Sequence, residues 1–173
     1  MKSFFILLFF FSSALFASPL EAFKTIQSDF VQNVTNDQNK TIRYEGKFYA
    51  TKDKKALWIY EKPVAKKIYF NDTKVVIIEP ELEQAIITTL ENTPNIAELI
   101  RQAKEIAPNR YQTTFMETTY TITATQTTIK NVVYNDKLDN HVEILFGDQS
   151  INLFLDDALF VPEVPVGYDY IRQ

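Results

Sequence analysis

Residues 68–88, IYFNDTKVVIIEPELEQAIIT, place apolar segments on either side of a short polar turn. The unbroken run Val75-Val76-Ile77-Ile78 sends apolar side chains to both faces of any strand it forms, because successive side chains in a strand point to opposite sides. A sheet with one wet face shows clean alternation instead. Strands of this kind therefore need cover on both faces, and Pro80 ends the run before the next apolar segment, 82–88.

Elsewhere the alternation is clean. Over residues 41–51, Ile42, Tyr44, Gly46, Phe48 and Ala50 share one face, and Arg43, Glu45, Lys47, Tyr49 and Thr51 share the other. Thr alternates with apolar and aromatic residues through QTTFMETTYTITATQTTIKNVVY, 112–134, a composition suited to a half-buried pleated surface. With only 3 Gly in 173 residues, Pro and Asn/Asp pairs supply the punctuation. Strands are expected at 41–51, 56–60, 65–70, 74–78, 82–88, 110–116, 118–125, 127–134, 141–146 and 149–155, with a hairpin turn at Asn71-Asp72. The tail DALFVPEVPVGYDYIRQ reads as an extended, proline-interrupted edge segment.

Two stretches carry a helical period. Over Leu20–Val34, Phe23, Ile26, Phe30 and Val34 recur at spacings of three and four behind Ser18-Pro19. Over Pro94–Ala107, Ile96, Leu99, Ile100, Ala103 and Ile106 form one stripe, with Asn92 or Thr93 as cap and Pro108 as stop. No repeat or linker marks a second domain. The expected fold is α+β, a strongly curved antiparallel sheet wrapped around a helix, which buries the helix stripe and one sheet face together. Side chains or a ligand could fill the interior equally well.

The chain opens with Lys2, the apolar run Phe4–Phe11 and small residues up to Ala17, the pattern of a secretory signal peptide cleaved near Ala17. The apolar run is shorter than the ~20 residues of a membrane-spanning helix. Residues 18–173 would then form one exported domain. The sequence holds no Cys, so it has no disulfide, thiol nucleophile or cysteine-borne lipid anchor. A net charge of −4, with KDKK (52–55) as the densest basic cluster, argues against nucleic acid as partner.

Catalytic groupings are sparse. His141 is the only histidine, which rules out multi-histidine metal sites, and on a strand beside Val142 it reads as a rim residue. Glu79, Glu81 and Glu83, or the pair Asp156-Asp157, could in principle supply two carboxylates for glycoside hydrolysis. Solvated strand-end acids explain them more simply. NVT (33–35) and NDT (71–73) match glycosylation sequons, a weak signal. Neither an enzyme nor a cofactor is expected.

The stretch SDFVQNVTNDQNKTIRYEGKFYATKDKKALWIYEKPVAKKIYFNDTKVVIIEPELEQA (28–85) resembles the LolA family, periplasmic carriers of outer-membrane lipoproteins. Phe30 and Gln32 match a Phe-x-Gln segment that would end the first helix. Gly46, Phe48 and Ala50 match a glycine-bearing strand, Trp58, Tyr60 and Pro63 an aromatic strand with its proline, and Pro80, Leu82 and Gln84 a closing Pro-x-Leu-x-Gln element. FVPEVPVGYDYI resembles the family's terminal run loosely. The chain departs at Asn71-Asp72, where the family has Asp-Gly, at Val76–Ile78, where it has aromatics, and at Lys52, where it has an arginine credited with closing the lid and promoting release.

The resemblance implies an incomplete, strongly curved antiparallel half-barrel, with N-terminal and central helices as a lid over an apolar concave face. That face would hold the acyl chains of triacylated outer-membrane lipoproteins. The implied lining is Ile42, Tyr44, Phe48, Trp58, Tyr60, Phe70, Val76, Ile78 and Leu82, with Ile96, Leu99 and Ile100 from the lid and Lys52 as the release residue. Implied partners are the cargo, an inner-membrane lipoprotein-releasing ABC transporter and an outer-membrane acceptor, met by a monomeric carrier in the periplasm. The alternative is a half-barrel lipid-binding or envelope-sensing module that transfers nothing.

Overall fold

A computed structural model describes residues 23–71, 73–89, 94–125 and 127–172. Residues 1–17, with the expected cleavage after Ala17, and the expected caps Asn92 and Thr93 lie outside the described residues. The strands are β1 (Thr25–Thr35), β2 (Thr41–Thr51), β3 (Ala56–Lys62), β4 (Lys66–Asn71), β5 (Lys74–Glu79) and β6 (Gln84–Thr89). After helix α1 (Ile96–Gln102) come β7 (Lys104–Ala107), β8 (Arg110–Phe115), β9 (Thr118–Ala124), β10 (Ile129–Asn135), β11 (His141–Ile151) and β12 (Asp169–Arg172). They form one 12-stranded sheet in the order β12-β6-β5-β4-β3-β2-β1-β11-β10-β9-β8-β7. Within β1–β6 and within β7–β11 chain neighbours pair antiparallel, β1 closes onto β11, and β12 adds to β6 in parallel.

The sheet is open and curled. Buried residues of β1 to β5 and of β8 to β11 meet in a single cluster with Ile96, Ala97, Leu99 and Ile100 of α1, which a flat sheet of this width could not achieve. We call this the helix side. On it, β2 passes so close to β3 that a Cβ at Gly46 would overlap the Ile59 carbonyl oxygen, and the Phe30 ring covers the glycine.

The opposite face explains the doubly apolar strands. Leu57, Tyr69 and Ile78, with Tyr49, Ile59 and Val76 beside them, pack against Phe160, Leu155, Leu159, Val164 and Tyr168. The C-terminal segment therefore straps the outside of β2 to β5 before adding β12 at the edge. Asp156 caps a 3-10 turn at Asp157–Phe160 by accepting from the Ala158 N–H at 2.9 Å. The Asn71 amide donates to the Phe160 carbonyl at 2.7 Å, and Lys55 pairs with Asp157 at 2.7 Å.

Four expectations need correction. The N-terminal helix over Leu20–Val34 is strand β1 from Thr25 onward. Ile26, Phe30 and Val34 are four apart, a spacing that keeps one face in a strand as well as in a helix. The positions between them on that face, Ser28 and Gln32, are polar and hid the alternation. Ser28 is buried and donates to the Gly147 carbonyl, and Gln32 accepts from Tyr60. The central helix is shorter than Pro94–Ala107: Ala103 is already extended at ψ 138°, and exposed Ile106 belongs to β7. Its cap is Asn95, whose Oδ1 accepts from the Ala97 N–H at 3.1 Å. Segments 141–146 and 149–155 are one strand as far as Ile151, because Gly147-Asp148 makes an irregularity opposite Ser28 and not a turn. Leu82 lies in a 3-10 turn at Pro80–Leu82 ahead of β6.

Because Phe160 is 1% exposed at the centre of the strap, Phe160→Ala should destabilise the protein by about 3–5 kcal/mol. Denaturant unfolding followed by circular dichroism checks this, and a change below about 1 kcal/mol would mean that the strap does not contribute to the core.

Candidate functional site

On the helix side, β1, β2, β3 and β11 bring four large aromatics together. The Phe30 ring meets Trp58 edge-on at 4.8 Å, Phe48 lies 4.3 Å from Trp58, and Phe146 lies 5.6 Å from Phe48. Each projects from a strand position of the inward parity, so the ladder register fixes the cluster. Tyr60 continues it toward the β1–β2 hairpin tip, 5.0 Å from Phe30 and 5.8 Å from Tyr44, and its hydroxyl donates to Gln32 at 2.8 Å. Burial raises the Tyr60 phenol from its ordinary value, and neighbouring Tyr134 and Tyr44 add to the shift.

Helix α1 packs over the other end of the cluster. A cavity of about 30 Å³ remains between it and the sheet, lined in part by Phe23, Ile26, Phe48, Ala97 and Ile100. That space suits a water or two and no more. At this end of the cluster, then, side chains occupy most of the space under the helix.

The helix is tied down by polar bonds to the β2–β3 turn. The Arg101 guanidinium donates to the Thr51 carbonyl at 2.8 Å and to Glu98 at 3.2 Å, and the Asn95 amide donates to the Lys54 carbonyl at 3.0 Å. Arg101 is mostly shielded from water, its side chain 19% exposed, so the bond to Thr51 is charge-assisted in a sheltered place.

The structure brings together Phe48, Trp58, Phe70, Ile96, Leu99 and Ile100 in one buried cluster, with Tyr60 packed against it and Tyr44 beside Tyr60. Ile42 shares their parity but lies at the outer end of β2, 52% exposed. Leu82 is 65% exposed. Val76 and Ile78 point to the opposite face, under the C-terminal strap, while their neighbours Val75 and Ile77 face the helix side. Lys52 is an exposed turn residue whose backbone N–H donates to the Lys24 carbonyl at 2.7 Å.

Sequence reasoning missed Phe30, Phe146 and Arg101. Phe30 had been assigned to a helix. The alternation Val142, Ile144, Phe146 could have revealed Phe146, but no pattern marks Arg101, because its partner is a backbone carbonyl. The acids have local structural roles: Glu79 accepts from Gln84 at 2.6 Å, and Asp156 and Asp157 serve the strap. His141 is exposed, 3.3 Å from Asn135. Among the described residues no group of three or more His, Asp or Glu is placed to hold a metal ion.

Residues 21–104 match the family model described as outer membrane lipoprotein carrier protein LolA. The chain is 37% identical over 161 residues to an outer-membrane lipoprotein carrier protein of Wolinella succinogenes, covering 92% of this chain and 94% of the relative. The chain belongs to the LolA family. A second relative of the same name, from Campylobacter jejuni, is 35% identical over 172 residues, 99% of this chain and 100% of its own. Among solved structures, a LolA superfamily protein of Nitrosomonas europaea superposes with a TM-score of 0.53 at 9% identity, covering 84% of this chain and 96% of its own. An uncharacterized conserved protein of Thermus thermophilus does so at 0.57 and 10%, covering 91% and 95%. At such identities the likeness concerns the fold.

Within this LolA member the guanidinium that grips the β2–β3 turn comes from the helix and not from position 52. Arg101→Ala should accordingly free α1 while leaving the sheet intact. A hydrogen bond to a charged group contributes roughly 1.5–3 kcal/mol, so amides of 96–102 should exchange about tenfold faster or more. Those of β1, β2 and β11 should be unchanged. Uniform acceleration across the chain, read by hydrogen-exchange mass spectrometry, would contradict a local tether.

Proposed function

We propose that this protein is an exported, monomeric periplasmic carrier that binds the acyl chains of outer-membrane lipoproteins and ferries them from the inner to the outer membrane. The 37% identity to a named carrier over almost its whole length is the observation that carries this reading. The implied encounter partners are an inner-membrane lipoprotein-releasing ABC transporter and an outer-membrane acceptor. Residues 1–17 would be the export signal, and 18–173 one carrier domain.

In this reading the helix side is the apolar concave face and α1 its lid. The filled cluster describes the empty carrier, and cargo must displace α1. The magnitudes support that exchange. Each buried methylene stabilises by about 0.8 kcal/mol, so long acyl chains can offset both the burial that Ile96, Leu99 and Ile100 give up and the polar ties of a 7-residue helix. Such a helix is marginal alone. The lining follows as Phe30, Phe48, Trp58, Tyr60, Phe70 and Phe146, with Ile96, Leu99 and Ile100 moving outward on loading. Val76 and Ile78 stabilise the scaffold from the opposite face.

Protein isolated from the native envelope should carry a triacylated lipoprotein in a one-to-one complex, and loading should shift the emission of Trp58, the only tryptophan. Recovery with free glycerolipid, and no release of lipoproteins from spheroplasts, would instead favour a lipid-binding module that transfers nothing.

The closing bias that returns cargo is assigned to Arg101 in place of Lys52. The bias must stay within a few kcal/mol, since a larger one would prevent loading. Arg101→Leu should load lipoprotein but retain it, whereas Lys52→Leu should transfer within about twofold of the parent, a shift under ~0.5 kcal/mol that matches an exposed side chain. A transfer assay from inner-membrane vesicles to acceptor membranes decides between them. The opposite ranking would return the role to position 52.

A further inference from the structure

The helix-side aromatics change character along the strands. Around the middle of the sheet they are Phe30, Phe48, Trp58 and Phe146. Toward the end formed by the β1–β2, β8–β9 and β10–β11 hairpin tips they become Tyr44, Tyr60, Tyr120 and Tyr134. Tyr120 and Tyr134 rings lie 4.6 Å apart, and Tyr44 and Tyr60 rings 5.8 Å apart. A recess of about 290 Å³ opens beside Tyr120 and Tyr134, bordered by Phe115, Met116 and Leu138, the last 82% exposed on its hairpin tip.

A rim tyrosine usually packs its ring and wets its hydroxyl. Here the Tyr60 hydroxyl turns inward, while those of Tyr44 and Tyr134 keep contact with solvent. Tyr60 donates to Gln32, and burial raises the phenols of both Tyr60 and Tyr134, each shift enlarged by a neighbouring tyrosine. Among the described residues no hydrogen bond within the chain occupies the hydroxyls of Tyr44 and Tyr134. The charged group nearest to Tyr60 is Lys66, whose Nζ lies over the ring 4.7 Å from its centre and not at the hydroxyl. Asp136 adds to the Tyr134 shift from the β10–β11 tip. Gln32, Tyr44, Tyr60 and Tyr134 are neutral groups beside the aromatic cluster, and the recess at Tyr134 is also bordered by Asp136 and Lys137. Neutral donors at the boundary between a greasy interior and water match a ligand with carbonyl acceptors at the head of its hydrocarbon.

We propose that the hydroxyls of Tyr44 and Tyr134 and the amide N–H of Gln32, whose Oε1 is held by Tyr60, form a hydrogen-bonding belt that grips the ester and amide carbonyls of an acylated glyceryl-cysteine while its chains enter the aromatic cluster. This rests on the carrier reading and adds the part of the cargo that sets depth and register. Acyl burial alone is non-directional and would let the chains slide. A site built to hydrogen-bond a group rejects the analogue that lacks it, because its polar atoms are then left unpaired.

The test uses a synthetic tripalmitoyl glyceryl-cysteinyl peptide and its analogue with two O-alkyl ethers in place of the glyceryl esters. Affinity is read from Trp58 emission and by calorimetry. The parent should bind the ester form about tenfold more tightly than the ether. Tyr44→Phe and Tyr134→Phe should each lose most of that preference while holding the ether affinity and the unfolding midpoint, since the ring is kept and neither hydroxyl has a partner among the described residues. Equal affinity of the parent for both peptides overturns the belt and leaves the carrier standing. So does a preference that survives in both variants, or a loss that falls equally on both peptides. Failure of the parent to bind either peptide removes the carrier reading and the belt with it.

Discussion

The strands β3, β4 and β5 are apolar on both faces, and most of the architecture follows from the need to cover them twice. On one side Trp58, Phe70 and Val75 are sealed by the far half of the same sheet, brought round by its curl, and by α1. On the other, Leu57, Tyr69 and Ile78 are sealed by the C-terminal strap through Phe160. Neither cover suffices alone, because an open face of this size would aggregate or recruit a partner. The two covers differ in kind. The strap is continuous with the sheet, adding β12 beside β6. The helix is a short insert held at its ends.

That difference would suit the proposed carrier, which has to open on one side only. Helix α1 has 7 residues, too few to persist without its tertiary contacts. Asn95 and Arg101 attach it to the carbonyls of Lys54 and Thr51, so both bonds land on one β2–β3 turn. Elements released in function come from the low-stability end of a structure, and this one combines an apolar footprint with few polar ties. In the family resemblance the closing arginine stands on the sheet. Here a guanidinium on the helix donates to a carbonyl at the end of β2, a charge-assisted tie.

The aromatic cluster adds a gradient. Phenylalanine and tryptophan occupy the middle positions and tyrosine the end nearest the hairpin tips. In the proposed carrier such an order would give a hydrocarbon ligand a direction, since the apolar atoms and the hydroxyls are satisfied only when chains and head group enter in the right sense.

Alternation alone placed β2 at its observed bounds, Thr41–Thr51, with Phe48 on its apolar face, because in a strand the face of a side chain is decided by parity, whereas Trp58 and Phe70 were reached through the family resemblance. It also gave the apolar stripe of α1 through Ile96, Leu99 and Ile100. Parity could not say which face of β5 was which. Both read as apolar, and the strap that buries Val76 and Ile78 arrives from more than seventy residues away in sequence. Periodicity also failed over 25–34, where inward Ser28 and Gln32 are polar and the remaining apolar residues sit four apart, a spacing shared by helix and strand. Their hydrogen bonds to Gly147 and Tyr60 exist only once β1 pairs with β11 and β2 with β3. The same holds for Arg101: its partner is a backbone carbonyl fifty residues away, and backbone carbonyls carry no sequence signature. The sequence by itself determined which side chains share a face within a strand or along the helix. Tertiary structure decided what each buried face meets, because long-range pairing alone gives a polar side chain its partner.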